Sequence, residues 1–154
     1  MATLAEMLRS VSQQHHDKMA FWEEKNHYTY GQFLDRVQHT AGVLKSKGLM
    51  PGERFAVIAP NRFETAVLIY AGFWSGIIPV PLNFRLAPPE IRNMLDDCDA
   101  KYLFIDDSFM PLLDDDGLIH WHDKAIHFGS KKENWSYETM LNQAEKVPAY
   151  RSRP

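Results

Sequence analysis

The chain has 154 residues, 45% of them apolar and 24% charged, with a formal net charge of −3. Those values fit one globular domain, or one lobe of a larger one, that can bury ~70% of its unfolded surface. They exclude the clustered positive footprint of a nucleic-acid binder, and the single cysteine, Cys98, excludes an intrachain disulfide and suits a reducing compartment, the cytoplasm.

Leu4, Met7, Leu8 and Val11 fall at helical spacing and predict a short amphipathic opening helix. The stretch before Asp17 lacks the basic start and apolar centre of a secretory signal. Ala20 to Trp22, the polar run Glu23 to Asn26, and Tyr28 read as a hairpin. Thr29 and Gln32 then form a capping-box pattern, in which each side chain satisfies a backbone N–H at the start of a helix. Phe33, Val37, Ala41 and Leu44 give that helix its buried stripe, and Gly48 supplies a left-handed stop.

Pro51-Gly52 predicts a tight turn. Phe55 to Ala59 is an unbroken apolar run, which suits a parallel strand covered on both faces. Asn61 is the candidate cap of the next helix, about 62–75, which is apolar nearly all round and therefore central. The 20 residues from Thr65 to Phe84 carry no charge, long enough to cross a membrane. Gly76, Pro79 and Pro81 break the run, so it reads as a buried helix followed by a strand, Ile77 to Pro81, and no transmembrane segment is expected. Pro88 and Pro89 suit a helix start, with Ile91, Met94 and Leu95 as its buried stripe and an end near Asp97. Tyr102 to Ile105 is another apolar strand. Helices alternating with strands predict an α/β fold with a largely parallel sheet flanked by helices.

Beyond Asp106 the pattern weakens. Asp114 to Asp116 reads as a solvated run before Gly117, Ile119 to His122 and Ala125 to Phe128 as strands, and Trp135 to Leu141 as a helix. Val147 to Pro154 has no periodicity and reads as an unsupported tail or a linker.

Tyr28-Thr29-Tyr30, the segment Gly48 to Ala56, Pro60-Asn61 and above all Gly76 to Leu86, followed by Pro89-Glu90-Ile91, together resemble the opening of adenylate-forming, AMP-binding enzymes. The Gly76 to Leu86 block is most similar to the acyl- and aryl-CoA ligase branch, and Trp135 to Leu141 resembles the short helix that precedes the family's phosphate loop. The resemblance implies an N-terminal lobe of an acyl-CoA synthetase-like fold over 1–146, truncated before the phosphate loop. It makes 147–154 a tail or linker to a missing C-terminal remainder. It implies a parent enzyme that uses ATP, Mg and coenzyme A. A fatty or aryl carboxylate attacks the ATP α-phosphate to give an acyl-adenylate, and a thiol then displaces AMP.

The phosphate loop and its lysine would be needed to hold the departing phosphates. Neither a Thr-Gly-Thr-Thr-Gly-like run nor G-x-x-x-x-G-K-[ST] occurs in the chain. No catalytic residue is therefore assigned, and the isolated chain is expected to be inactive. The resemblance carries over one binding residue. Arg85, in Leu82-Asn83-Phe84-Arg85-Leu86, occupies the position that lies near the coenzyme's nucleotide phosphates. The alternative is that Arg85 pairs with Glu90 or caps a helix end.

Other features read as structural. His120 and His122 would share one face of a strand, but two imidazoles without a third ligand are no metal site. Asp106-Asp107, at a strand end, suits turn and cap duty, and Trp22, Trp74, Trp121 and Trp135 suit core or lobe-interface positions. A competing reading is a non-catalytic interaction module that binds a separate catalytic remainder or a second copy as a homodimer. An unrelated small nucleotide-binding domain would carry a glycine-rich turn after the first core strand, where this chain has Ala59-Pro60-Asn61-Arg62.

Overall fold

The computed structural model describes residues 3–23, 26–129, 141 and 144–150. The first helix, α1 (Leu4–Gln14), opens with a capping box from Thr3 and Glu6. Strands β1 (Met19–Glu23) and β2 (Asn26–Thr29) pair antiparallel, and Thr29 ends β2 and caps α2 (Tyr30–Ser46). The Thr29 hydroxyl accepts from the Gln32 N–H at 3.1 Å, and the Gln32 side chain accepts from the Thr29 N–H at 2.8 Å. The reciprocal bonds read from the sequence are therefore both made.

The main sheet has four parallel strands in the order β4-β3-β5-β6. They are β3 (Arg54–Ile58), β4 (Ile78–Pro81), β5 (Ala100–Asp106) and β6 (Ala125–Phe128). Gly52, at φ 89°, turns the chain into β3, a conformation open to glycine at little strain. Along β3, Phe55 and Val57 enter one core while Ala56 and Ile58 enter the other. An alternating pattern would have marked a half-exposed sheet. The unbroken apolar run instead reflects two covered faces.

The first face carries α2 and α3 (Phe63–Ser75), with α1 and the β1–β2 hairpin outside them. Aromatic rings join these layers: Phe21 meets Phe33 with centroids 4.9 Å apart, and Tyr28 stacks on Phe63 at 3.6 Å. Helix α3 ends at Gly76, left-handed at φ 72°. The opposite face carries α4 (Pro88–Asp97) and two 3₁₀ helices, Asp107–Asp114 and Ile119–Lys124. Among the described residues, no helix is long and apolar enough to cross a membrane.

Three local expectations are corrected. Asn61 does not cap α3: the N-cap position falls to Arg62, with no side-chain hydrogen bond, and Asn61 is exposed. Ile119 to His122 is a 3₁₀ helix rather than a strand, because Trp121 must turn into the α4-side core while His120 and His122 stay exposed. Residues 147–150 are not unsupported. They have no regular structure, yet the Trp74 indole N–H donates to the Val147 carbonyl at 2.9 Å and the Tyr150 N–H donates to the Trp74 carbonyl at 2.7 Å. Periodicity cannot reveal such a segment, since its partners, the Trp74 indole among them, lie far away in sequence. The predicted helix 135–141 lies outside the described residues except for Leu141, which is helical and buried.

Candidate ligand-binding edge

All four parallel strands end at one edge. From β3 the chain runs outward through α3 to β4, then returns past β3 through α4 to β5, so the winding reverses between β3 and β5. Helices α3 and α4 consequently lie on opposite faces. Ligands of open α/β sheets bind at such a reversal, outside the carboxyl ends of the strands. The residues presented there are Ala59 to Arg62, Leu82 to Leu86, Asp106 to Phe109, and Gly129.

Asp106 closes β5 and is 2% exposed. Its Oδ1 accepts from the Ser108 N–H at 3.0 Å and the Ser108 hydroxyl at 2.6 Å, which starts the first 3₁₀ helix. Its Oδ2 accepts no hydrogen bond and lies 3.2 Å from Arg62 Nη1, so that contact is ionic attraction without an aimed N–H. The pair ties the loop after β3 to the end of β5. Beside it, His127 Nδ1 of β6 lies 2.9 Å from Asp107 Oδ1. Thr65 donates its hydroxyl to the Pro60 carbonyl at 2.7 Å and fixes the same loop from within α3. Arg62 was not singled out by sequence reasoning. No sequence pattern marks it: the sheet register, which places Ile58 opposite Ile105, brings the residues that follow both strands together.

Arg85 sits in the turn after β4. Asn83 Oδ1 accepts from the Arg85 N–H at 2.9 Å, so the loop is shaped by an Asn side chain rather than by glycine. The guanidinium lies 5.8 Å from the Phe84 ring centroid, and Phe84 stacks on Phe109 at 4.6 Å. Phe109, with Pro88, Ser108, Pro111, Leu112 and Asp115, lines a shallow groove of about 460 Å³. Arg85 is exposed and makes no ion pair with a described residue. Glu90 does not pair with it: the Glu90 carboxylate accepts from the Ala87 N–H at 3.3 Å and starts α4. Arg85 itself does not line that groove, but an exposed planar guanidinium presents a donor fork that matches phosphate oxygens.

The other candidates fall elsewhere. Among the described residues no three His, Cys, Asp or Glu side chains gather as a metal site. His122 Nε2 lies 3.2 Å from Asp114 Oδ1, and His120 packs beside Trp121. Cys98 is half-buried and donates weakly to the Leu95 carbonyl. Trp74 and Trp121 are core residues, whereas Trp22 is 72% exposed.

The model of the AMP-binding enzyme family matches residues 8–150, so the chain belongs to that family. It is 26% identical over 107 residues to a 4-hydroxybenzoate–CoA/benzoate–CoA ligase of Rhodopseudomonas palustris, covering 70% of this chain and 20% of that protein. It is 30% identical over 119 residues to an indoleacetate–CoA ligase of Aromatoleum aromaticum, covering 75% of this chain and 23% of that protein. In fold it matches the N-terminal domain of FACL13 from Mycobacterium tuberculosis with a TM-score of 0.83 and 25% identity, covering 99% of this chain and 39% of that one. The chain thus spans roughly a fifth of the length of the curated relatives it matches.

Proposed function

We propose that this chain is the N-terminal lobe of an ATP-dependent acid–thiol ligase whose whole form activates a fatty or aryl carboxylic acid as an acyl-adenylate and passes it to coenzyme A. The observation that carries the reading is the family match over residues 8–150. In this reading Arg85 holds a phosphate of the coenzyme's nucleotide, beside the groove lined by Phe109 and Leu112. ATP and Mg are handled by parts outside these residues, because the chain contains no glycine-rich loop followed by lysine. The lobe alone therefore catalyses no adenylation: without cationic and N–H partners nothing offsets repulsion between a carboxylate and a triphosphate.

Pyrophosphate exchange into ATP tests both halves. The purified chain is expected to show none with any fatty or aryl acid, and exchange above a protein-free control defeats the claim of inactivity. The product of the complete reading frame is expected to exchange pyrophosphate. In it, Arg85→Ala raises KM for coenzyme A about tenfold and leaves exchange, which needs no coenzyme, unchanged. Loss of exchange in that variant would remove Arg85 from the coenzyme site.

A second reading, an interaction module without chemistry of its own, is favoured by the exposure of Trp22 at 72% and Met7 at 53%. A single defined oligomer in light scattering across concentrations supports it. Polydisperse association sinks it.

A further inference from the structure

Among the described residues the sheet ends at β4, and that strand meets solvent: Ile78 is 42% exposed and Pro81 is exposed. A strand at the end of a sheet ordinarily offers a row of free N–H and C=O groups on which another chain can pair. β4 offers no donors. The Ile78 N–H donates to the Glu53 carbonyl at 2.8 Å and the Leu82 N–H to the Val57 carbonyl at 2.8 Å, so the even-numbered residues turn their main chain toward β3. The odd-numbered residues turn theirs outward, by the alternation of the ladder. Of these, Ile77 spends its N–H on the Gly72 carbonyl at 3.0 Å, and Pro79 and Pro81 have none. Every outward N–H from 77 to 81 is therefore absent or already used. Both prolines stand where the missing N–H breaks no bond to β3, the placement a strand tolerates only at the edge of a sheet. The carbonyls that remain can accept from a single donor side chain. They cannot form a ladder, which needs donors and acceptors in alternation.

We infer that β4 is a built end of the sheet: it refuses a further strand, whether from a second copy of this chain or from the rest of a longer one. A partner of this lobe, the remainder of the proposed ligase included, joins through side chains or at another surface and does not lengthen the sheet across β4. The inference rests on β4 alone and stands whether or not the ligase reading does.

The test restores the donors. Pro79→Val combined with Pro81→Val gives β4 two outward N–H groups on residues of high strand propensity. Light scattering reads the mass over a range of concentrations, and hydrogen–deuterium exchange of residues 77–86 is followed by mass spectrometry on the same samples. The double variant is expected to reach about twice the mass of the unaltered chain, with exchange in 77–86 slowing about tenfold as concentration rises. Adding Ile78→Lys, which sets a charge on the new edge, is expected to reverse both changes. A double variant that keeps the mass of the unaltered chain and gains no protection overturns the inference. Association that leaves 77–86 unprotected places the contact elsewhere and overturns it as well. So does an unaltered chain whose 77–86 segment already gains protection with concentration. If the double variant shows no cooperative thermal transition, Pro81→Val alone carries the same readouts, and unchanged mass and exchange there overturn the inference.

Discussion

The two faces of the parallel sheet are built from different materials. One is covered by α2 and α3, of 17 and 13 residues, locked to the hairpin by stacked aromatic rings. The other is covered by the 10-residue α4 and two 3₁₀ helices of 8 and 6 residues. Long helices interdigitate many side chains and hold one another in register, whereas short 3₁₀ pieces have poorer hydrogen-bond geometry and few neighbours of their own. The first face is scaffold. The second face supplies the groove, and Phe109 of its 3₁₀ segment stacks on the Phe84 that carries Arg85. Irregular structure held against a rigid sheet is where binding residues are commonly placed.

Truncation of one buried residue on each face is the strongest way to break that contrast. Phe55 is 0% exposed, faces the α2–α3 side and meets Phe104 edge-on at 5.4 Å. Phe55→Ala is expected to lower unfolding free energy by about 4 kcal/mol in urea denaturation. Leu113, also 0% exposed, belongs to the 3₁₀ segment, which can settle into the space left behind. Leu113→Ala is expected to cost about 2 kcal/mol, at the low end for a buried leucine. Equal losses would mean that the two faces are equally rigid.

Asp106→Asn sharpens the comparison at the strand ends. It keeps an oxygen for Ser108 but removes the charge facing Arg62, whose side chain is about a third exposed. Solvent screening at Arg62 reduces the effect to about 1 kcal/mol by the same denaturation assay. Thr29→Ala removes the hydroxyl that starts α2, with an expected loss of about 1 kcal/mol and a lower thermal midpoint. Gln32→Ala should reproduce part of that loss if the box works reciprocally. Arg85→Ala is expected to change stability by less than about 0.5 kcal/mol, since the side chain is exposed and lies near the Phe84 ring. A larger change would make Arg85 a structural residue and weaken its assignment to a ligand.

Much of the fold was legible because its signals are local. The Thr29–Gln32 box, the stop at Gly48, the Pro51-Gly52 turn and the break after Gly76 each depend on backbone chemistry within a few residues, and the boundaries of α2, β3, α3 and β4 follow from them. The unbroken run at Phe55 to Ile58 carried longer-range information, because only a strand covered on both faces can be apolar at every position. Where local signals conflict with packing, packing prevailed. Ile119 to His122 alternates like a strand, but burial of Trp121 against Leu113 and Leu118 winds it into a 3₁₀ turn. Asn61 has the chemistry of a cap, yet the chain enters α3 one residue later, and the loop is held by Thr65 and Arg62 instead.

The sequence by itself determined the family, the parallel α/β class, the order of elements from α1 to β5, and Arg85 as the residue to examine. The class and the order of elements follow from periodicity, capping chemistry and the spacing of Gly and Pro, whereas the family and Arg85 come from the resemblance of whole motifs. Only the tertiary structure decided that Arg62 meets Asp106, that Phe84 and Phe109 set Arg85 beside a groove, and that residues 144–150 lie across α2 and α3. Each of those joins groups brought together by sheet register or by main-chain hydrogen bonds, and neither leaves a mark on side-chain pattern.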